Sequence, residues 1–178
     1  MRDLFTPEPP THEQYLIHFD GSCVPNPGQM GIGYTVHDPQ GKLILEGSSS
    51  AGHGTNNIAE YLALIAALRA ALDRSIEDVA VRGDSRNVVM ALQGRGKALH
   101  KRHPNIQPLL REAIQLSRQF KTFQIDHIRR ELNSHADGLS ALPNGARFCA
   151  HALPSMRPFW QPSCANGEHR RAPAASAQ

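Results

Sequence analysis

Four acidic residues stand where predicted strands end or predicted helices begin. Asp20 closes the first predicted strand and Asp84 follows the fourth, while Glu60 and Asp137 lie in the opening turns of two predicted helices. The ends of paired strands lie within about 5–10 Å of each other. We therefore expect the two aspartates to converge, with the helix N-termini adding the other two carboxylates at the same edge.

Four carboxylates in one cleft would repel strongly unless a cation neutralised them. An oxygen-rich set without soft ligands suits Mg²⁺ or Mn²⁺. A pair of such ions about 4 Å apart activates water and stabilises the leaving oxygen in phosphodiester cleavage. Spacing alone leaves a second interpretation open, in which each acid is a solvated cap or turn residue.

The elements that must position these acids follow from hydrophobic periodicity. Alternation predicts strands at 14–20, 30–37, 42–49, 79–81 and 122–128, and helical spacing predicts helices at 56–73, 86–92, 104–120 and 134–142. The first three strands are linked directly and the later ones through helices. That order predicts an α/β fold, a mixed five-stranded sheet with helices packed on it.

The chain is long enough for one domain with extensions. It has 178 residues, and domains average roughly 100–200. Residues 1–13 are proline-rich and predict an extended lead-in, and 14–145 carry all the periodic segments. Residues 146–178 are rich in Ala, Pro and Arg without sustained periodicity, so we expect a flexible tail.

The net charge of +3 is carried by this tail. Four of the 19 basic and one of the 16 acidic residues lie in 146–178, which leaves 1–145 neutral. A local cluster of Arg95, Lys97, Lys101 and Arg102 is suited to phosphate contacts. It is equally compatible with a solvated loop.

Composition also excludes several classes of protein. The most apolar stretch, 58–72, is interrupted by Glu60 and Arg69 and is shorter than the roughly 20 residues of a membrane span. The first residues lack a secretory signal pattern. The chain has only three cysteines, a small and odd number that does not suit a disulfide scaffold. We expect a cytoplasmic protein without a membrane partner.

Four segments together resemble the type 1 ribonuclease H family. They are residues 19–28, 55–61, 81–85 and 133–137, and they run in the family's order within 14–142. The resemblance implies a ribonuclease H-like fold. It also implies that Asp20, Glu60, Asp84 and Asp137 are the catalytic, metal-binding carboxylates.

The implied activity is hydrolysis of the RNA strand of an RNA–DNA hybrid. Two Mg²⁺ ions, with Mn²⁺ as an alternative, would hold the scissile phosphate between them. One would activate the attacking water and the other would stabilise the departing 3′ oxygen, giving 5′-phosphate and 3′-hydroxyl ends. Glu60 would also contact an RNA 2′-hydroxyl, the group that distinguishes RNA from DNA.

The resemblance also implies a set of polar substrate contacts. Asn26 is by itself a turn residue and Thr55 a helix cap, and both roles are compatible with substrate binding. Arg86 is equally suited to a phosphate contact and to a solvated helix surface. The implied substrate-binding residues are Ser22, Cys23, Asn26, Thr55, Asn56, Asn57 and Arg86.

Two departures from the family pattern stand out. Residues 128–133 form a short connection without the histidine that many members carry, and no room exists between Leu92 and Pro104 for a basic helical protrusion. This is typical of a compact subgroup, for which we expect weak hybrid affinity. His135 is a candidate auxiliary residue in place of the missing histidine, the alternative being a solvated or capping role.

The sequence therefore predicts an endoribonuclease that acts on RNA–DNA hybrids as a monomer, with no obligate protein partner. Two alternatives stay open. One is a non-catalytic nucleic-acid-binding module on the same fold, since fold alone does not determine function. The other is a nuclease that acts on double-stranded RNA.

Overall fold

The computed structural model describes residues 13–94 and 104–141. The predicted lead-in, basic cluster and tail lie outside these residues, except for Glu13. The helices are α1 (Asn56–Leu72), α2 (Arg86–Leu92), α3 (Ile106–Ser117) and α4 (Ser134–Ser140), with a 3₁₀ turn at Arg130–Leu132. The strands are β1 (Tyr15–Val24), β2 (Gly28–His37), β3 (Leu43–Gly54), β4 (Asp78–Gly83) and β5 (Thr122–His127).

The five strands form one mixed sheet in the order β3-β2-β1-β4-β5. The β1–β2 and β2–β3 pairs are antiparallel hairpin neighbours, whereas β4 pairs in parallel with both β1 and β5. Parallel neighbours need a crossover connection, which α1 and then α2 with α3 provide. The predicted mixed sheet is confirmed.

The expectation that Asp20 ends the first strand is wrong, because β1 continues to Val24. Pairing with β4 stops at His18, but pairing with β2 extends from Leu16 to Val24. The connection between β1 and β2 is therefore only the three residues 25–27. Asp20 lies beyond the last residue of β1 that pairs with β4. It therefore still lies at the edge of the sheet where β1 and β4 diverge.

One face of the sheet carries the hydrophobic core. Helix α1 packs on β1 and β2 and is flanked by α3. Its buried residues lie on nearly every side of the helix. Alternate residues of the central strands meet it, as their two-residue period requires. The largest fully buried side chains include Phe19, Tyr61, Leu64 and Leu68.

The other face is covered in part by α4, which packs on β2 and β1. Its backbone approaches the sheet closely because β2 has glycine there. A Cβ placed on Gly31 would lie 2.1 Å from the carbonyl oxygen of Ser140, and one on Gly33 would lie 2.5 Å from that of Ala136. Any side chain at these positions would force α4 away from the sheet.

Helices α1, α2 and α4 begin where predicted, but α3 is shorter than the predicted 104–120 at both ends. Pro104 precedes α3, whose N-cap is Asn105, rather than opening the helix. Thr55 is the N-cap residue of α1 with extended backbone, but its hydroxyl makes no capping hydrogen bond. Among the residues that the structure describes, no helix has the length and apolar composition needed to cross a membrane.

Candidate active site

Asp20, Glu60 and Asp84 meet at the edge where β1 and β4 diverge. One carboxylate oxygen from each residue lies within 4.8 Å of the other two. Asp20 comes from β1, Glu60 from α1, and Asp84 from the residue after β4. Three of the four predicted carboxylates are thus brought together.

Glu60 reaches this edge because α1 begins almost in contact with β1. A Cβ on Gly21 would lie 2.2 Å from the backbone nitrogen of Glu60, so only glycine permits the approach. Burial, followed by the charges of Asp20 and Asp84, raises the pKa of Glu60 to about 9, and the backbone N–H of Gly21 opposes that rise. Its Oε2 atom is buried without a hydrogen-bond partner among the described residues.

Asp20 is 4% exposed and is held by α4. Ser140 Oγ donates a hydrogen bond to Asp20 Oδ2. Burial raises the pKa of Asp20 to about 6, the Ser140 hydrogen bond lowers it, and the charges of Asp84 and Asp137 raise it further. The cluster therefore resists full ionisation without a cation.

Asp84 is fixed by Asn133, the residue that precedes α4. Asn133 Nδ2 donates to Asp84 Oδ1 at 2.9 Å and to the carbonyl oxygen of Phe19 at 2.9 Å. The backbone of Asp84 is also tied down, since His127 Nε2 lies 3.1 Å from its carbonyl oxygen. Asp84 is thus connected to β1, β5 and α4 at once.

Asp137 stands apart from the three clustered carboxylates. Arg130 Nε donates to Asp137 Oδ1 at 3.0 Å, and a second guanidinium nitrogen contacts the same oxygen. The pKa of Arg130 is raised, first by its hydrogen bond to Asp137, then by the Asp137 charge and more weakly by Asp20 and Asp84. Arg130 therefore interacts electrostatically with the clustered acids, and it is hydrogen-bonded to the fourth predicted ligand.

The donor set fits a hard divalent cation. All three clustered groups are carboxylates, the ligands that Mg²⁺ and Mn²⁺ take in proteins. Oxygens bound to one Mg²⁺ at about 2.0–2.1 Å lie at most about 4.2 Å apart, so a spread of 4.8 Å needs little contraction. The unpaired Oε2 of Glu60 is a buried ligand atom that a cation would satisfy.

Two of the predicted substrate residues are joined to each other. Asn26 Oδ1 accepts the backbone N–H of Asn56 at 3.2 Å. Asn26 thus satisfies the first backbone amide of α1. The Thr55 hydroxyl, which caps α1 in the predicted arrangement, makes no capping hydrogen bond.

The other predicted substrate residues differ in how much they expose. Cys23 is buried, with Sγ near the carbonyl oxygens of Pro25 and Gly54, so it has only its backbone to offer. The Ser22 hydroxyl donates to the carbonyl oxygen of Ser140 at 2.6 Å. Asn57 Oδ1 lies 3.5 Å from the amide of exposed Asn87, and Arg86 is an exposed residue that begins α2.

His135 points away from the clustered acids, toward β3. Its Nε2 atom lies 3.1 Å from Glu46 Oε2, and its side chain is 53% exposed. Arg130, by contrast, interacts electrostatically with Glu60 and Asp20. A role for His135 in the reaction stays a prediction without a supporting contact.

Sequence reasoning missed three residues of this site. Asn133 lies inside one of the segments that resemble the family, and its position before a predicted helix was the available signal. Arg130 was visible only as part of a short connection. Ser140 lies at the end of α4 and carried no signal, because its contact with Asp20 spans 120 positions of sequence.

Solved structures share this sheet and its helices. RNase H1 from Halobacterium salinarum NRC-1 matches with a TM-score of 0.67 and 36% identity, over 71% of this chain and 94% of that one. LC11-RNase H1, solved in complex with an RNA/DNA hybrid, matches with a TM-score of 0.65 and 32% identity, over 71% of this chain and 94% of that one. The expected ribonuclease H-like fold is confirmed.

The family follows from sequence comparison. A family model described as reverse transcriptase-like matches residues 18–142. Ribonuclease HI of Halobacterium salinarum is 37% identical over 123 residues, which are 69% of this chain and 60% of that protein. The chain belongs to this reverse transcriptase-like family, and the predicted resemblance to type 1 ribonuclease H is confirmed.

Proposed function

We propose that this protein is a divalent-metal-dependent endoribonuclease that hydrolyses the RNA strand of RNA–DNA hybrids. The observation that carries the proposal is the convergence of Asp20, Glu60 and Asp84 within 4.8 Å. Two of the three acids are buried, an arrangement that is costly for carboxylates unless they bind a cation. The hybrid as substrate is supported by the similarity to LC11-RNase H1, which was solved with an RNA/DNA hybrid.

The chemistry supplied at such a site is activation of a water and stabilisation of the departing 3′ oxygen, by two Mg²⁺ ions or, alternatively, Mn²⁺. In our proposal Asp20, Glu60 and Asp84 bind this metal centre. Asp137 joins them when its side chain leaves Arg130. The products are a 5′-phosphate and a 3′-hydroxyl end.

The residues around the start of α1 bind the substrate in this proposal. Asn26 accepts the first backbone amide of α1, the helix that also carries Asn57 and Glu60. The remaining first-turn N–H groups are suited to a phosphate oxygen, because helix N-termini favour anions. Glu60 presents its carboxylate both to the metal centre and to the RNA 2′-hydroxyl, the basis for choosing RNA over DNA.

All of the clustered carboxylates come from one chain. One copy therefore supplies the groups that the reaction needs, and we propose that the enzyme acts as a monomer. Arg86, exposed two residues after Asp84, adds a phosphate contact in this proposal.

The direct test is cleavage of a labelled RNA–DNA hybrid beside the matching RNA duplex and DNA duplex. Each is incubated with Mg²⁺, with Mn²⁺ or with EDTA, and the product ends are identified. We expect metal-dependent cutting of the RNA in the hybrid, with 5′-phosphate ends. Cutting of the RNA duplex at an equal or higher rate would favour the double-stranded RNA nuclease, and binding without cutting in any metal would favour the binding module.

A further inference from the structure

We propose that α4 is a positioning element for the metal site, in which Asn133 holds Asp84 and Ser140 holds Asp20. These two residues flank Asp137, so one short helix would govern three of the four proposed ligands. The inference rests on the proposed function, because it concerns the same carboxylates. It assigns roles to two residues outside the predicted ligand and substrate sets.

Asn133 is placed to fix one orientation of Asp84. Its side chain is 1% exposed, and both hydrogens of Nδ2 are used, one on Asp84 Oδ1 and one on the carbonyl oxygen of Phe19. Reversing the amide would turn its oxygen toward two acceptors. Its Oδ1 atom is buried without a hydrogen-bond partner among the described residues, which costs free energy. The two bonds made by Nδ2 offset this cost and keep the side chain in place.

Ser140 does the same for Asp20 from the other end of α4. Its side chain is 2% exposed and its hydroxyl donates to Asp20 Oδ2. Ser140 Oγ also lies 3.0 Å from the carbonyl oxygen of Asp137. One hydroxyl hydrogen serves one acceptor at a time, and a carboxylate is the stronger acceptor.

The position of α4 itself depends on separate contacts. Ser48 Oγ on β3 donates to the carbonyl oxygen of Leu139 at 2.6 Å, and Gly31 leaves room for the helix backbone. Neither residue touches a carboxylate of the cluster. The Ser48→Ala change removes one docking bond without a steric clash, so it leaves the two bonds to the ligands in place.

The consequence should appear in metal affinity. The three carboxylates repel one another once ionised, and each is free to rotate about its last bond unless a neighbour fixes it. Hydrogen bonds to metal ligands fix such rotations, and their loss typically lowers metal affinity or activity about 10–100-fold. We expect a loss of this size from Asn133→Ala and a loss of about 10-fold from Ser140→Ala.

The experiment is isothermal titration of the full chain with MnCl₂, without nucleic acid, for the wild type and four variants. Asn133→Ala and Ser140→Ala remove the proposed bonds. Ser48→Ala weakens the docking of α4, and Ser134→Ala changes an exposed neighbour of Asn133. Thermal unfolding in EDTA accompanies each titration, so that a loss of stability is separated from a loss of affinity.

The proposal holds if the first two variants bind Mn²⁺ more weakly while the two controls bind it within about twofold of the wild type. It is overturned if folded Asn133→Ala and Ser140→Ala bind Mn²⁺ as the wild type does, or if Ser48→Ala loses as much affinity. Should Asn133→Ala not fold, Asn133→Ser takes its place and Ser140→Ala decides the outcome. A wild type that binds no Mn²⁺ would instead overturn the proposed function, and this inference with it.

Discussion

The two faces of the sheet are built on different physical principles. Toward α1, apolar side chains such as Phe19 and Leu64 interdigitate in a continuous core. Toward α4, contact is made by glycine, backbone carbonyls and hydroxyl groups, with Gly31 and Ser48 meeting the last turn of the helix. The first face stabilises the fold through buried apolar area. The second face fixes the orientation of the helix and of the carboxylates bonded to it.

The metal site lies where these two faces meet. Glu60 comes from the helix on the apolar face, while Asp20 and Asp84 are held by side chains at the ends of α4. Changes on the apolar face should therefore act mainly on the free energy of unfolding. Changes on the α4 face should act mainly on metal binding and cleavage.

Asp20→Asn should break the site most severely without harming the fold. We expect cleavage of the hybrid to fall on the order of 10³-fold, about 4 kcal/mol of transition-state stabilisation. Burial raises the pKa of Asp20 to about 6, so its charge opposes folding at neutral pH and the melting temperature should not fall. Cleavage rates and thermal unfolding check both expectations.

The matched control is Asp73→Asn, at an exposed residue that follows α1. It should cleave the hybrid at the wild-type rate. Retained cleavage in Asp20→Asn would contradict the proposed function directly.

Leu64→Ala should have the largest effect on stability and little effect on metal binding. Leu64 is fully buried, and removing such a side chain costs about 2–5 kcal/mol through lost burial and the cavity left behind. Urea unfolding measures the loss, and Mn²⁺ affinity is measured on the folded protein. A folded variant that loses Mn²⁺ affinity as Asp20→Asn does would contradict the division between the two faces.

The same division explains what the sequence could predict. Alternation and helical spacing gave the five strands and α1, because burial on one face leaves a periodic pattern. The close approach of α4 leaves no periodic pattern in the sequence. Gly31 acts because it has no side chain, and Ser48 acts through a single hydroxyl group. The end of β1 was placed wrongly at Asp20 because the hydrophobic alternation stops there, where the strand carries polar residues for the site, and such a stop resembles the end of a strand.

The candidate site was predictable to the extent that its residues belong to contiguous segments. Asp20, Glu60 and Asp84 each lie in a segment that resembles the family, and the structure brings them together. The capture of Asp137 by Arg130 depends on the path of a 3₁₀ turn. The Ser140 contact depends on the whole fold, which periodicity does not reveal.

Stability of the metal-free protein should fall as pH rises from 7 to 9. The pKa of Glu60 is raised from 4.5 to about 9, chiefly by burial. In this range the folded chain keeps a proton that the unfolded chain has lost, so the free energy of unfolding decreases by up to about 1.4 kcal/mol per pH unit. Urea unfolding in EDTA at pH 7, 8 and 9 measures this slope.

Glu60→Gln should flatten this pH dependence, because the amide does not ionise. The control is Glu77→Gln, at an exposed residue, which should keep the wild-type slope. Equal slopes in the wild type and Glu60→Gln would show that another group is responsible.

Gly31→Ala should weaken the site by moving α4. The added methyl group would lie 2.1 Å from the carbonyl oxygen of Ser140, so the helix must shift at a cost of about 1–3 kcal/mol. We expect Mn²⁺ affinity and hybrid cleavage to fall about 10-fold, with a smaller loss of stability than in Leu64→Ala. Unchanged Mn²⁺ affinity would mean that the α4 contacts do not control the site.

Gly138→Ala makes the same chemical change on the outer side of α4 and should have the opposite sign. A Cβ there meets nothing within 4 Å, and alanine favours the helix over glycine by about 0.5–1 kcal/mol. We expect a small gain in thermal stability with unchanged Mn²⁺ affinity, measured beside Gly31→Ala. Both substitutions add one methyl group. If Mn²⁺ affinity falls only in Gly31→Ala, the metal site depends on the contact between α4 and the sheet and not on the helix propensity of α4.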